Sequence, residues 1–218
     1  MSRRFCLAHS VCFLLVLSAA VNAQRPANLI RQEFDQAARE VPTLARVLSL
    51  TPGMTVADIG SGGGAMAVTM AKWLGPDGRV YATDVAAAQL AEIRGAVAKE
   101  GLTNVFVLEG ATRATNLPVG CCDAIFLRDV YHHLTSPLDF DASLLASLKP
   151  GGRIAVMDFE PEPGSPLPAG VPENRGGHGI PLTVIVSELT QSGFRHVRTI
   201  ARWPDDAAHL FLVLFEKP

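Results

Sequence analysis

The chain is poor in cysteine and aromatics and carries no marked excess of either charge. Of its four cysteines, Cys6 and Cys12 lie in the first 23 residues, leaving Cys121 and Cys122 for the remainder. Adjacent cysteines can join only through a strained ring, and no spaced pair has metal-ligand spacing. A disulfide framework and a cysteine zinc site are therefore not expected, and two thiols are. Lysine and arginine total 19 against 21 acidic residues, a balance that gives nucleic-acid binding no electrostatic support. Aromatic residues make up 6 %, too few outside a core for a stacking platform. No serine sits in a nucleophile-elbow pattern, and Cys121-Cys122 opens a strand rather than a helix, so nucleophilic catalysis has no candidate. Repeats and low-complexity tracts are absent. The apolar run 11–20 falls short of the roughly 20 residues that a membrane-spanning helix needs.

That run follows Arg3 and Arg4 and precedes Val21-Asn22-Ala23, the pattern of a secretory signal peptide over residues 1–23. The expectation is export, periplasmic or secreted, with an uncleaved anchor from about Phe5 as the alternative. Taking Arg3 and Arg4 from the 19 basic residues leaves 17 against 21 acidic, a net charge of −4.

A chain of 218 residues accommodates one α/β domain with a core on both faces of a sheet. Helical spacing across 24–50 is interrupted at Pro42, which predicts two short lead-in helices. From 51 onward, strands at 55–59, 79–84, 104–109, 123–128 and 152–158 alternate with helices that end at Gly75, Gly101 and Leu148. This rhythm predicts a doubly wound, Rossmann-like sheet. Residues 160–181 hold six prolines and five glycines and read as a loop, either a lid or a surface excursion. A helix over Leu182–Gln191 then leads to strands at 194–201 and 209–215, whose short turn makes the last of seven strands antiparallel.

The densest motif is Val56-Ala57-Asp58-Ile59-Gly60-Ser61-Gly62-Gly63-Gly64. Glycines there let the chain turn sharply and leave no Cβ between backbone and ligand, while Asp84 at the end of the next strand can bind ribose hydroxyls. A nucleoside-bearing cofactor is implied.

The glycine block, Asp84 within Tyr81-Ala82-Thr83-Asp84-Val85, the turn Leu148-Lys149-Pro150-Gly151-Gly152-Arg153 and the closing hairpin together resemble class I S-adenosylmethionine-dependent methyltransferases. The resemblance runs from about Thr51 to the C-terminus. Asp129-Val130-Tyr131-His132-His133-Leu134 and His178-Gly179-Ile180-Pro181 are similar to a group of predicted small-molecule methyltransferases whose substrates are mostly unknown. The resemblance implies that Gly60, Ser61, Gly62 and Gly64 hold the amino-acid end of the cofactor and Asp58 orders their loop. It further implies that Asp84 accepts the ribose hydroxyls and that Val85 packs near the adenine. Arg128, closing the fourth strand, completes this set. Gly110-Ala111-Thr112 stands where the family has Gly-Asp-Ala, so the carboxylate near the adenine amino group is missing. With Thr112 or a backbone carbonyl in its place, weaker cofactor affinity is expected.

Methyl transfer requires mainly that a nucleophile be placed opposite the methyl, so a base is optional. Candidates at the end of the fourth strand are Asp129, Tyr131, His132 and His133, with His178 joining them if the loop closes. His132, His133 and His178 could instead ligate a metal, as in catechol-type methyltransferases. The aspartate and asparagine pattern of those enzymes is absent, so no metal is expected. A small-molecule acceptor fits a chain without a basic surface. Two other classes share the glycine turn: a silent module that binds the cofactor without catalysis, and an NAD-dependent oxidoreductase, which usually continues its parallel sheet instead of closing on a hairpin.

Overall fold

A computed structural model describes residues 25–205 and 209–218. The expected leader lies outside the described residues. The elements, in order, are α1 (Ala27–Val47), β1 (Thr55–Ile59), α2 (Ala65–Leu74), β2 (Arg79–Asp84), α3 (Ala87–Lys99), β3 (Val105–Glu109), β4 (Cys122–Arg128), α4 (Pro137–Ser147), β5 (Leu148–Asp158), α5 (Leu182–Gln191), β6 (Arg195–Trp203) and β7 (Leu210–Glu216). Short 3-10 turns occupy Tyr131–His133 and Glu173–Arg175. Among the described residues, no helix is long and apolar enough to cross a membrane.

The seven strands form one sheet in the order β3-β2-β1-β4-β5-β7-β6. β1 to β5 pair in parallel, and β7 runs antiparallel between β5 and β6. This is the expected doubly wound sheet, and the antiparallel strand departs from the all-parallel dinucleotide-binding order. Side chains alternate across it with the two-residue period of a strand. Val56, Phe126, Ala155 and Leu212 face a core shared with Leu44, Met70 and Ile93 of α1, α2 and α3. Ile59, Leu127, Val156 and Val213 face Phe140, Leu144, Ile185 and Leu189 of α4 and α5. β4 and β7, buried along nearly their whole length, read as continuous apolar runs for that reason. The edge strand β6 is largely exposed and carries Arg195, Arg198 and Arg202, which blunt it against pairing with another chain.

Two expectations are corrected, and the loop reading of 160–181 is refined. The lead-in is one helix, with Pro42 inside it rather than ending it. An interior proline costs about 3 kcal/mol, and burial of Val41, Leu44, Ala45 and Val47 on both sides of it holds the halves in line. Cys121 and Cys122 are joined as a vicinal disulfide rather than left as thiols. The strap 160–181 is also tied down. Ile180 N–H donates to Phe159 O at 3.0 Å, and Glu162 N–H donates to His178 O at 3.1 Å. The fully buried Arg175 of the strap donates to Glu188 of α5 at 2.8 Å and lies over the Tyr131 ring.

Candidate active site

β1 and β4 are neighbours whose connections leave in opposite directions, and a crevice opens where their carboxyl ends part. The glycine turn fills one side of it. Gly60 sits at φ +69°, and a Cβ there would stand 2.5 Å from Val130 Cγ2, so no larger residue fits. Gly62, at φ +52°, has nothing within 4 Å of where its Cβ would be. Ser61 N–H donates to Thr83 O at 2.8 Å, which locks the turn to β2. Asp84 accepts from Gly62 N–H at 3.1 Å and from Ala86 N–H at 2.9 Å, bridging the two loops.

The resulting cleft, of about 280 Å³, is lined by Glu33, Gln36 and Ala37 from α1, by Asp58, by residues 60–63 and by Arg128 and Asp129. Asp58 is buried, and its Oδ2 has no hydrogen-bond partner. Burial pushes its carboxyl up to about 7, even though a hydrogen bond from Ser61 and the Arg128 charge pull the other way. Arg128 Nε donates to both oxygens of the buried Glu40, at 3.1 and 3.0 Å, and Glu40 also accepts from Trp203 Nε1 at 2.8 Å.

Helix α1 is the part of the site that sequence reasoning missed. It roofs the cleft, and its Arg25-proximal end closes over Gly63, where Arg25 pairs with Glu33 and Glu92. The signal was present in the spacing: Glu33, Ala37 and Glu40 fall on one helical face, so acids recur where an apolar stripe alone was sought.

Asp84 is placed as expected beside the glycines. Ala111 and Thr112 follow β3 beyond the cleft lining, with Gly110 N–H donating to Asp84 O at 2.9 Å. Val85 is 60 % exposed at the same end.

At the opposite end, Asp129 adopts φ +60° directly after β4, and its N–H donates to Met157 O at 2.8 Å. A left-handed turn at a non-glycine residue is uncommon, and here it brings the carboxylate to the cleft. His132 is buried 3 residues later. Its Nδ1 lies 2.9 Å from Asp158 Oδ1, and Asp158 also accepts from the N–H groups of His132 at 3.1 Å and Phe159 at 3.0 Å. A carboxylate only accepts, so the imidazole donates through Nδ1, and its Nε2 has no partner. Such a nitrogen can take a proton or bind a metal ion. His133 and His178 stand beside it, and burial, then the neighbouring histidines, lower the pKa of His133.

Tyr131 is set apart from these residues. It is fully buried, its hydroxyl donates to Asp141 Oδ2 at 2.8 Å, and burial drives the pKa of that hydroxyl well up. Its place is in the core beneath α4 and α5, because the 3-10 turn points successive side chains in different directions.

A family model described as a methyltransferase domain matches residues 56–152. A ubiquinone/menaquinone biosynthesis C-methyltransferase, UbiE, of Ectopseudomonas mendocina is 30 % identical over 156 residues, covering 71 % of this chain and 60 % of the relative. A tRNA (guanine(6)-N2)-methyltransferase of Thermus thermophilus is 31 % identical over 134 residues, 54 % of this chain and 38 % of that one. The chain thus spans less than two thirds of the length of these curated relatives. A solved S-adenosylmethionine-dependent methyltransferase of Aquifex aeolicus superposes with a TM-score of 0.70 at 26 % identity, covering 89 % of this chain and all of that one. With the sheet order and the glycine turn, these matches show a methyltransferase domain over residues 56–152 in a sheet with the fold of S-adenosylmethionine-dependent methyltransferases.

Proposed function

We propose that the chain binds S-adenosylmethionine in the cleft and transfers its methyl group to a small molecule held near His132, His133 and His178. The observation that carries this reading is Asp58 Oδ2, a buried acceptor without a partner on the cleft wall, suited to the cofactor's ammonium group. Asp84 holds the ribose end, and the exposed apolar Val85 offers a surface for the adenine. When bound, the cofactor supplies a methyl group already activated on a sulfonium. The chain's own residues orient and enclose: Glu40 fixes Arg128, Arg25 bridges to α3 over the glycines, and Asp129 stands between the cleft and the histidines.

A small acceptor is favoured over RNA by the charge balance of 19 basic and 21 acidic residues, although one relative acts on tRNA by its name. Incubating the protein with methyl-labelled cofactor and the low-mass fraction of a cell extract should move label into a small product. Cofactor binding with no label transferred to any fraction would favour the silent module, and label recovered only in RNA would overturn the acceptor class.

A further inference from the structure

The turn after β4 and the strap 160–181 bring three histidines together. One ring nitrogen of each of His132, His133 and His178 lies within 4.8 Å of those of the other two. The His132 ring centre stands 4.0 Å from that of His133 and 5.0 Å from that of His178, with Phe159 edge-on at 4.9 Å. His132 is 1 % exposed and its Nε2 is unpartnered, whereas Nδ1 is spent on the fully buried Asp158. An orphaned buried nitrogen is destabilising. The fold retains it and also commits a buried carboxylate to fixing the ring's tautomer. Pairing a carboxylate with one imidazole nitrogen is how metal-bound histidines are oriented through the other.

We propose that His132, His133 and His178 form a site for one divalent late-transition cation of the zinc class, with Asp158 as the residue that positions His132. Three imidazoles suit zinc, cobalt, nickel or copper better than magnesium or calcium, which prefer oxygen. Three protein ligands leave a coordination position open. Metal–nitrogen distances of about 2.0–2.1 Å require the three rings to draw together from their present spacing. His133 and His178 are not buried and can move, and His178 sits between Gly177 and Gly179, both at positive φ. The ion would pin the strap to the end of β4. A second grouping, Asp129 with His132 and Asp158, is disfavoured because Asp158 already accepts three hydrogen bonds.

The site goes beyond the methyl-transfer reading and is tested without turnover. Untagged full-length protein, stripped with chelator, is titrated with Co²⁺ and followed by visible absorption and calorimetry. The expected result is one equivalent bound at micromolar or lower dissociation constant, with the intense bands of a four- or five-coordinate nitrogen site, displaced by Zn²⁺. His178→Ala, at a surface position, should weaken binding at least about 100-fold while circular dichroism and cofactor affinity stay unchanged. Asp158→Asn should weaken it by roughly 10–100-fold. A Co²⁺ spectrum that stays that of the hydrated ion, or His133→Ala and His178→Ala proteins that bind as tightly as the parent, would overturn the proposal.

Discussion

The two ends of the crevice beside β4 are built in different ways. At the glycine end, the turn and the two carboxylates of adjacent strands lie between Asp58 and Asp84 in the chain, with α1 as a roof and Arg128 beside them. At the histidine end, side chains from the β4 turn, the tip of β5 and a strap more than forty residues away converge on one point. The core of the first end is local in sequence. The second depends on Arg175 and Glu188 anchoring the strap so that His178 arrives.

Replacing Asp84 should break the glycine end most severely. Asp84→Ala removes the proposed ribose acceptor and the tie between Gly62 and Ala86, and calorimetry should report cofactor affinity reduced by at least about 100-fold, the scale of two charge-assisted hydrogen bonds. Co²⁺ binding at the histidine end should persist, and its loss would mean that the two ends are not separate.

Asp58 gives the next largest effect, and its sign can be worked out. Its folded pKa of about 7 lies above the ordinary carboxylate value, so the folded state holds a proton that the unfolded state has released. Stability is greatest below about pH 4 and falls as pH rises toward about 7. Asp58→Asn should raise stability at pH 8 by on the order of 2–4 kcal/mol, the gain vanishing near pH 4, as measured by denaturant melts. Cofactor binding runs the other way, because an ammonium ligand favours the ionised carboxylate. The parent should bind several-fold more tightly at pH 7.5 than at pH 6, and Asp58→Asn should lose that dependence.

The smallest effect belongs to the adenine side. Ala111→Asp restores the carboxylate that the family places there and should tighten cofactor binding by roughly 3–10-fold, the worth of one hydrogen bond near the surface. No change in a calorimetric titration would mean that Thr112 or the backbone already fills the role.

The glycine end was legible in the sequence because its determinants are consecutive and backbone-driven: a buried strand, a turn that only glycine can make, and an acid at the next strand's end. The doubly wound order and the closing hairpin were legible for the same reason. Arg128 lines the cleft at the end of β4, yet Glu40, which holds it, comes from a helix 88 residues away whose sequence shows mainly an apolar stripe. Adjacency in sequence joins Tyr131 to its histidine neighbours, but it says nothing about which way a 3-10 turn aims each side chain, and the Tyr131 hydroxyl points to Asp141. The meeting of His178 with His132 depends on the course of the strap, and composition alone left that undetermined.

Whether the glycine end binds S-adenosylmethionine is decided by parallel calorimetric titrations with S-adenosylmethionine, S-adenosylhomocysteine and NAD. Saturable one-to-one binding of the first two and none of NAD is expected. Binding of NAD alone would contradict it.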